Sequence, residues 1–249
     1  MTPLDDVAIA AAGVAAGAIN TIVGSGSLIT FPTLLAVGYS PVVANVSNTV
    51  GLVPGSVSGA VGYREELRGQ LRRVLRLLPP AVLGAALGAL LLLAVPGAFG
   101  SVVPILILFA VGLVIVQPRI AQWRADRGRV SEHPGPLLYA GVFLTAIYGG
   151  YFGAAQGVIL LALLSISLDD DLQRLNGVKN VLAAVVNFVA AIYFIASTHV
   201  AWGAAIILVV SSTVGGQVGA KLGRRIPSQV LRAVIVVVGT AVAIKLLID

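Results

Sequence analysis

Long apolar runs dominate this sequence and limit what it can fold into. They lie at about 7–23 and 28–37, 41–62, 74–95, 100–117, 137–152 and 157–167, 173–197, 201–220 and 229–248. Several are as long as the roughly 20 residues with which a helix crosses a bilayer. Inside lipid, every backbone polar group must be bonded within the protein, so spanning segments are helices or closed barrels. Runs of this length predict an all-α polytopic membrane protein of seven or eight spans.

The residue composition agrees with a membrane protein. Only 10% of the residues are charged and 58% are hydrophobic, whereas a soluble domain carries about 25% charged residues. The net charge of +6 could suggest nucleic acid, but Lys and Arg in cytoplasmic loops explain it. We therefore expect a lipid bilayer around the protein, a multi-pass location in the cell (inner) membrane and no nucleic-acid partner. The chain has no cysteine, which excludes disulfides, thiolate metal sites and cysteine catalysis.

Two apolar segments are interrupted by short polar or glycine-rich stretches. The first break is Gly24–Ser27 and the second lies between Gly149 and Gly157. Interrupted segments at corresponding positions of two halves are a sequence indication of a transporter's binding site. We therefore place the candidate site at these two breaks.

The two halves of the chain resemble each other. Matching residues lie 129 or 131 positions apart: Gly24 with Gly153, Asn45 with Asn176, Gly84 with Gly215, Gly88 with Gly219, and Pro96 with Pro227. This spacing predicts a first membrane repeat at 1–117, a polar cytoplasmic linker at 118–136 and a second repeat at 137–249. Glycines four residues apart, as in both halves here, let helices pack closely in lipid. We expect a packing role for them.

The charges of the loops predict how the repeats are oriented. Basic residues are concentrated in 64–76, 118–136 and 221–232, whereas 95–100 and 197–202 contain no Lys or Arg. If each broken segment is re-entrant, all the basic loops face the cytoplasm, as the positive-inside tendency requires. The prediction is two inverted repeats, each with one broken helix and three spans, and with both termini outside. Eight full spans are the alternative.

The breaks could bind an anion. Each starts a new half-helix, and a helix N-terminus offers free N–H groups and about half a positive charge. Ser25, Ser27 and Gln156 add side-chain donors. The candidate substrate-binding residues at the breaks are Gly24, Ser25, Gly26, Ser27, Gly153, Gln156 and Gly157. Two kinks without a ligand are the alternative.

One cation lies within an apolar segment. Lys179 is about two turns into 173–197, with Asn176 and Asn180 on the same helical face. An ionisable residue at that depth is a functional candidate, and we add Asn176, Lys179 and Asn180 to the predicted site. Their counterparts in the first half include Asn45 and Asn48, which we also add. The alternative is that Lys179 snorkels to the membrane interface.

No catalytic or metal constellation is evident within the membrane. All ten acidic residues and both histidines lie in loops or at segment ends, so we expect no catalytic residue, no metal and no cofactor. An intramembrane enzyme would need an acid, base or nucleophile pair. A structural membrane subunit would need neither the breaks nor a buried lysine. A transporter explains both features.

The two broken segments resemble a known family. GSLITFPTLLAVGYSPVVANVSN in the first half, and YGGYFGAAQGVILL followed by LNGVKN in the second, look like the TauE/SafE sulfite exporter family, also called the toluene-sulfonate uptake (TSUP) group. The family's second motif often reads GxGxG, where this chain has Gly153-Ala154-Ala155-Gln156-Gly157. The resemblance implies a transporter that exports a small anionic substrate such as sulfite or an organosulfonate. An importer or exchanger of another anion, such as thiosulfate or a carboxylate, is the alternative, and the oligomeric state is left open.

Overall fold

The computed structural model describes residues 2–125 and 135–222, together with 233, 236–241, 243, 244 and 246. These residues form helices and contain no strand, which confirms the predicted all-α class. The helices are α1 Pro3–Ile22, α2 Ser27–Ala36, α3 Pro41–Gly62, α4 Leu71–Ala94, α5 Pro96–Ala125, α6 Pro136–Tyr151, α7 Gln156–Ser167, α8 Leu172–Ser197 and α9 Trp202–Leu222. Half of the predicted last segment, 229–248, lies outside the described residues.

Five of these helices are long and apolar enough to cross a bilayer. They are α1, α4, α8 and the stretches Pro96–Val116 of α5 and Trp202–Lys221 of α9. The helices α2 and α7 are apolar but short. The helix α3 has 22 residues and buries several polar side chains, among them Asn45, Ser47 and Asn48. The chain is therefore a multi-pass membrane protein, whereas the inverted arrangement of its halves stays a prediction.

The helix bounds follow the predicted segments to within four residues, except at the end of α5. The helix α1 begins at Pro3 instead of about residue 7, because Thr2 and Asp5 form a capping box: the Asp5 N–H donates to Thr2 Oγ1 and the Thr2 N–H donates to Asp5 Oδ2. The helix α5 continues to Ala125, through the first part of the stretch predicted as a linker. The residues 119–125 include Arg, Ala and Gln, which are good helix formers.

The helices α1 and α6 end in the same way. After α1, the N–H groups of Val23 and Gly24 both donate to the Ile19 carbonyl. After α6, the N–H groups of Phe152 and Gly153 both donate to the Tyr148 carbonyl. Both glycines have positive φ, +90° and +77°, which an L side chain adopts only with strain. Three residues later α2 and α7 begin.

The close helix contacts join one half of the chain to the other. The helix α1 packs on α9, and α6 packs on α4. A Cβ atom at Gly84 or Gly88 would lie 2.4 or 2.0 Å from the carbonyl oxygens of Phe143 and Ile147 in α6. At Gly215 and Gly219 in α9, the corresponding atoms in α1 are the Val14 and Ala18 carbonyl oxygens, at 2.1 and 2.6 Å. These contacts confirm the packing role predicted for the four glycines.

Aromatic side chains surround the second break. The ring of Phe152 meets the rings of Phe31, Phe99 and Tyr148 edge-on, at 5.2, 5.8 and 6.5 Å between centroids. The Tyr148 hydroxyl donates to the Ala154 carbonyl at 2.6 Å. This cluster fixes one side of the break between α6 and α7.

Candidate functional site

The two breaks predicted from the sequence meet each other. The Gly157 N–H at the start of α7 donates to the Gly24 carbonyl at 3.1 Å. A Cβ atom at Gly24 would lie 2.4 Å from Gly157 Cα, and one at Gly157 would lie 2.5 Å from Gly24 Cα. The two backbones can approach this closely only because both residues are glycine. We call this contact the crossing. It brings Gly24 and Ser25 together with Gln156 and Gly157.

The first half-helix begins beside the crossing. Ser25 is buried and its Oγ has no hydrogen-bond partner among the described residues. Gly26 is the N-cap residue of α2 and provides no side-chain cap. A Cβ atom at Gly26 would lie 2.2 Å from the Ala16 carbonyl oxygen, so this glycine also lets α2 pack on α1. Ser27 is the first residue of α2 and is partly buried.

The second half-helix begins on the other side of the crossing. Its N-cap residue is Ala155, in the left-handed conformation with φ of 57°. Gln156 is buried, with its Oε1 against Gly149 and its Nε2 without a partner among the described residues. Gly153 is close to the Gly149 carbonyl, which a Cβ atom on Gly153 would approach to 3.0 Å. The start of α7 thus presents an unused amide donor.

Lys179 and its neighbours bind the end of α1. The Lys179 ammonium donates to the carbonyls of Asn20 and Thr21 at 3.0 and 3.1 Å. The amides of Asn176 and Asn180 both donate to the Thr21 carbonyl at 3.2 Å. These carbonyls belong to the last turn of α1, where no helical N–H follows. All three predicted residues therefore lie at one point, next to the first break.

Lys179 does not snorkel. Its side chain is 0% exposed, so the alternative of a lysine reaching the interface is wrong. Among the described residues it forms no ion pair with a carboxylate. A lysine ammonium has three donors and the two carbonyls use two of them. Helix-end carbonyls carry about half a negative charge, which offsets only part of the ammonium charge.

In the first half, Asn45 occupies the corresponding place at the second break. Its amide nitrogen donates to the Tyr151 carbonyl at the end of α6, at 3.0 Å. Asn48 accepts a hydrogen bond from the Thr30 hydroxyl of α2, at 2.5 Å, so it links α3 to the first half-helix. Asn45 and Asn176 are both buried, and the Oδ1 atoms of both lack a partner among the described residues.

Two contributors to this region were not predicted. The first is the pair of carbonyls of Asn20 and Thr21, which receive the lysine. The second is Ser56, whose hydroxyl accepts from Asn20 Nδ2 and from Asn187 Nδ2, each at 3.3 Å. The signal that could have found them is polar side chains in apolar helices: Asn20 ends the run AAGVAAGAIN and Asn187 lies within VLAAVVNFVAA.

A second polar cluster joins the loops at one end of the helices. Arg73 of α4 lies 2.5 Å from Asp170, and Arg174 of α8 lies 2.8 Å from it. Burial alone would raise the pKa of Asp170, but hydrogen bonds from Arg73, the Asp171 backbone and Arg174 hold that pKa below its ordinary value. Asp171 is the N-cap of α8, as its Oδ1 accepts from the Gln173 N–H at 2.8 Å.

The described residues contain no group of three or more His, Asp or Glu side chains that could hold a metal ion. Around the two breaks the structure instead places hydrogen-bond donors, two amide oxygens without partners among the described residues, and the buried ammonium of Lys179. Such a site can bind and orient a small polar ligand.

Comparison with known proteins gives the family. The sequence model of the sulfite exporter TauE/SafE family matches residues 9–246. The chain belongs to the TauE/SafE family. The resemblance inferred from the two broken segments is thereby confirmed, and the chain is a membrane transporter of this family. No solved structure matches it.

Curated relatives of this TauE/SafE protein have the same general description. The chain is 27% identical to a probable membrane transporter protein, YfcA, of Escherichia coli K12, over 94% of this chain and 86% of that protein. It is 27% identical to a probable membrane transporter protein of Haemophilus influenzae, with 95% and 92% covered. A probable membrane transporter protein of a Sinorhizobium species is also 27% identical.

Proposed function

We propose that this protein exports small sulfur-containing anions, sulfite or an organosulfonate, through the inner cell membrane, and binds them at the crossing. The observation that carries the proposal is Lys179, a fully buried cation without a carboxylate partner among the described residues. A buried charge is costly unless it is paired. An anion at the crossing would supply the missing charge and accept the third N–H of the ammonium.

The unused polar atoms around the crossing suit a ligand with several oxygens. Ser25 Oγ and Gln156 Nε2 can donate, and both are buried without partners. None of the backbone hydrogen bonds of the described residues has the N–H of Ser25, Gly26 or Ser27 as its donor. Donors at a half-helix N-terminus, combined with one cation, are a common arrangement for oxyanions.

The contacts between the halves support the predicted inverted repeats. The Asn187 amide donates to the Ser56 hydroxyl. Ser56 lies 131 residues before Asn187, so the two residues occupy the same position in the two repeats. A residue that contacts its counterpart lies near the axis relating two repeats. The exchange of partners, α1 on α9 and α6 on α4, is the arrangement expected of two interlocked copies. In such folds the substrate lies between the broken helices, near the bilayer midplane.

The direction of transport follows from the sign of the charge. With both termini outside and the linker 118–136 inside, the basic loops face the cytoplasm. An inside-negative potential then favours anion exit by about 2.3 kcal/mol per charge per 100 mV, without a proton relay.

The test is anion transport by proteoliposomes containing wild type, Lys179→Met or Lys179→Arg, with sulfite, thiosulfate and acetate as substrates. Loss of a charge-assisted hydrogen bond costs about 1.5–3 kcal/mol, so Lys179→Met should weaken sulfite binding roughly ten- to hundredfold. Lys179→Arg keeps the charge but not the point geometry of an ammonium, so it should restore binding in part. Lys179→Met loses the two hydrogen bonds to the α1 carbonyls, but it also removes a costly buried charge. Because these two effects offset each other, thermal stability should change little. Unchanged sulfite affinity in Lys179→Met would refute the proposed site, and preference for acetate or thiosulfate would reassign the substrate.

A further inference from the structure

An open apolar groove runs between α3 and α8 on the outside of the helix bundle. Its volume is about 500 Å³. Val57, Ala60 and Val61 line it from α3, and Val181 and Phe188 line it from α8. Val61 and Phe188 are half exposed, so the groove faces the lipid and not the interior of the protein.

One end of the groove is charged. Arg64, two residues after α3 ends, lines it there, and its side chain is 76% exposed. The nearest carboxylate, on Glu65, lies 3.7 Å from Nε, which leaves the two Nη groups of the guanidinium free of this contact. Arg64 belongs to the basic stretch 64–76, which continues into the first turns of α4 and has further arginines at 68, 72, 73 and 76.

The length of the groove is comparable to the thickness of one bilayer leaflet. At its charged end, Gly177 of α8 lies beside Tyr63 and Leu67. At its apolar end, Asn187 of α8 contacts Ser56 of α3. Between these levels the two helices advance by seven and ten residues, about 10 to 15 Å. Half of a hydrocarbon core is about 15 Å, so the groove is of the right length to hold an acyl chain of one leaflet.

We propose that this groove binds an anionic phospholipid, with the phosphate at Arg64 and one acyl chain between α3 and α8. The apolar walls match a hydrocarbon chain, and a guanidinium binds phosphate in a bidentate manner. Basic pockets between membrane helices at the cytoplasmic side are suited to acidic headgroups. The inference is independent of the transported substrate. Because α3 and α8 also carry Asn45 and Lys179, the lipid would lie on the outer side of the same two helices.

The experiment measures lipids retained by the detergent-purified full chain, by native mass spectrometry with added phosphatidylglycerol or phosphatidylcholine. Wild type should prefer phosphatidylglycerol, and Arg64→Gln should reduce that preference about fivefold, as expected for one basic residue near a surface. Arg72→Gln is the matched control, because Arg72 is exposed in the first turn of α4, within the same basic stretch, but does not line the groove. Inorganic phosphate should not displace the lipid, since it has no acyl chain.

A second pair of variants tests the acyl chain. Ala60→Phe fills the groove and should lower retention of both lipids, whereas Ala86→Phe on α4, also partly exposed, should not. Equal effects of Arg64→Gln and Arg72→Gln would overturn the headgroup assignment. Unchanged retention in Ala60→Phe would overturn the groove itself. If Ala60→Phe instead converts a dimer into a monomer in the same spectra, the occupant is a second copy of this chain and the lipid proposal is wrong.

Discussion

Alanine substitutions at three glycines should separate the two physical demands of the crossing. Gly24 combines a φ of +90° with a backbone approach, because a Cβ atom there would lie 2.4 Å from Gly157 Cα. Gly38, in the turn after α2, has a φ of +102° but no atom within 4 Å of an added Cβ. Gly157 has no such positive φ, yet its Cβ would lie 2.5 Å from Gly24 Cα. Gly38 therefore tests the positive φ alone, Gly157 tests the close backbone approach alone, and Gly24 tests both together.

The expected costs follow from this division. A left-handed conformation costs an alanine about 1–2 kcal/mol, which is the whole effect expected for Gly38→Ala. Forcing an extra carbon into a packed contact costs about 1–3 kcal/mol, which applies to Gly157→Ala. Gly24→Ala should cost the sum, about 2–5 kcal/mol. Once Gly24→Ala has separated the two backbones, adding Gly157→Ala should cost less than it does in the wild type, because contacting residues are not additive.

Thermal stability of the detergent-purified variants is measured by heating them and recording how much of the monodisperse size-exclusion peak is retained. Transport is measured separately in proteoliposomes. Stability should fall in the order wild type, Gly38→Ala, Gly157→Ala, Gly24→Ala. Transport should survive in Gly38→Ala and be lost in both crossing variants, since the half-helix starts would move. If Gly24→Ala is no less stable than Gly38→Ala, or if the double variant is additive, the close contact of the two breaks is refuted.

Two further predictions concern contacts between the halves. Arg73→Gln should destabilise the protein by about 1–3 kcal/mol, whereas Arg72→Gln, which is exposed, should not. Because the pKa of Asp170 is lowered in the folded protein, its contribution is present at neutral pH and lost as the pH falls from about 4 through the folded-state value. An acid titration of melting temperature should therefore show a smaller decrease in Arg73→Gln than in wild type. Gly88→Ala, whose Cβ would lie 2.0 Å from the Ile147 carbonyl oxygen, should destabilise far more than Gly112→Ala on α5, where no atom lies within 4 Å; equal melting temperatures would contradict the packing role.

The helices could be predicted from sequence because their lengths are set by the bilayer. The predicted segment 41–62 coincides with α3, and 157–167 differs from α7 by one residue. The early start of α1 was missed because the prediction followed the apolar run, which begins at about residue 7, and not the capping-box spacing of Thr2 and Asp5. The extension of α5 was missed because polar residues such as Arg119 give no apolar signal, although they form helices readily.

The contacts of the candidate site were less predictable, because they join residues far apart in the chain. Periodicity places Asn176, Lys179 and Asn180 on one face, but it cannot show that their partners are the carbonyls of Asn20 and Thr21. Every residue has a backbone carbonyl, so no sequence motif can mark these two as partners of the lysine. The meeting of Gly24 with Gly157 was likewise not contained in either motif alone. These contacts depend on how the halves interlock.

In each half, a side chain from the other half binds the helix end at the break, but one of these side chains is neutral and the other is charged. This difference bears on the proposed anion site. Asn45, which is neutral, binds the Tyr151 carbonyl at the end of α6, whereas Lys179 binds the end of α1. The counterpart of Lys179, 131 residues earlier, is Asn48. A helix end carries about half a negative charge, so the ammonium leaves roughly half a positive charge uncompensated at the end of α1. The N-termini of α2 and α7 add partial positive charge on the other side of each break.

If both halves carried a lysine, the repulsion between two buried ammonium groups would add to the cost of burying them. If neither did, helix termini alone would have to balance an anion. One lysine in an otherwise matched frame provides a positive centre that a single anion can neutralise.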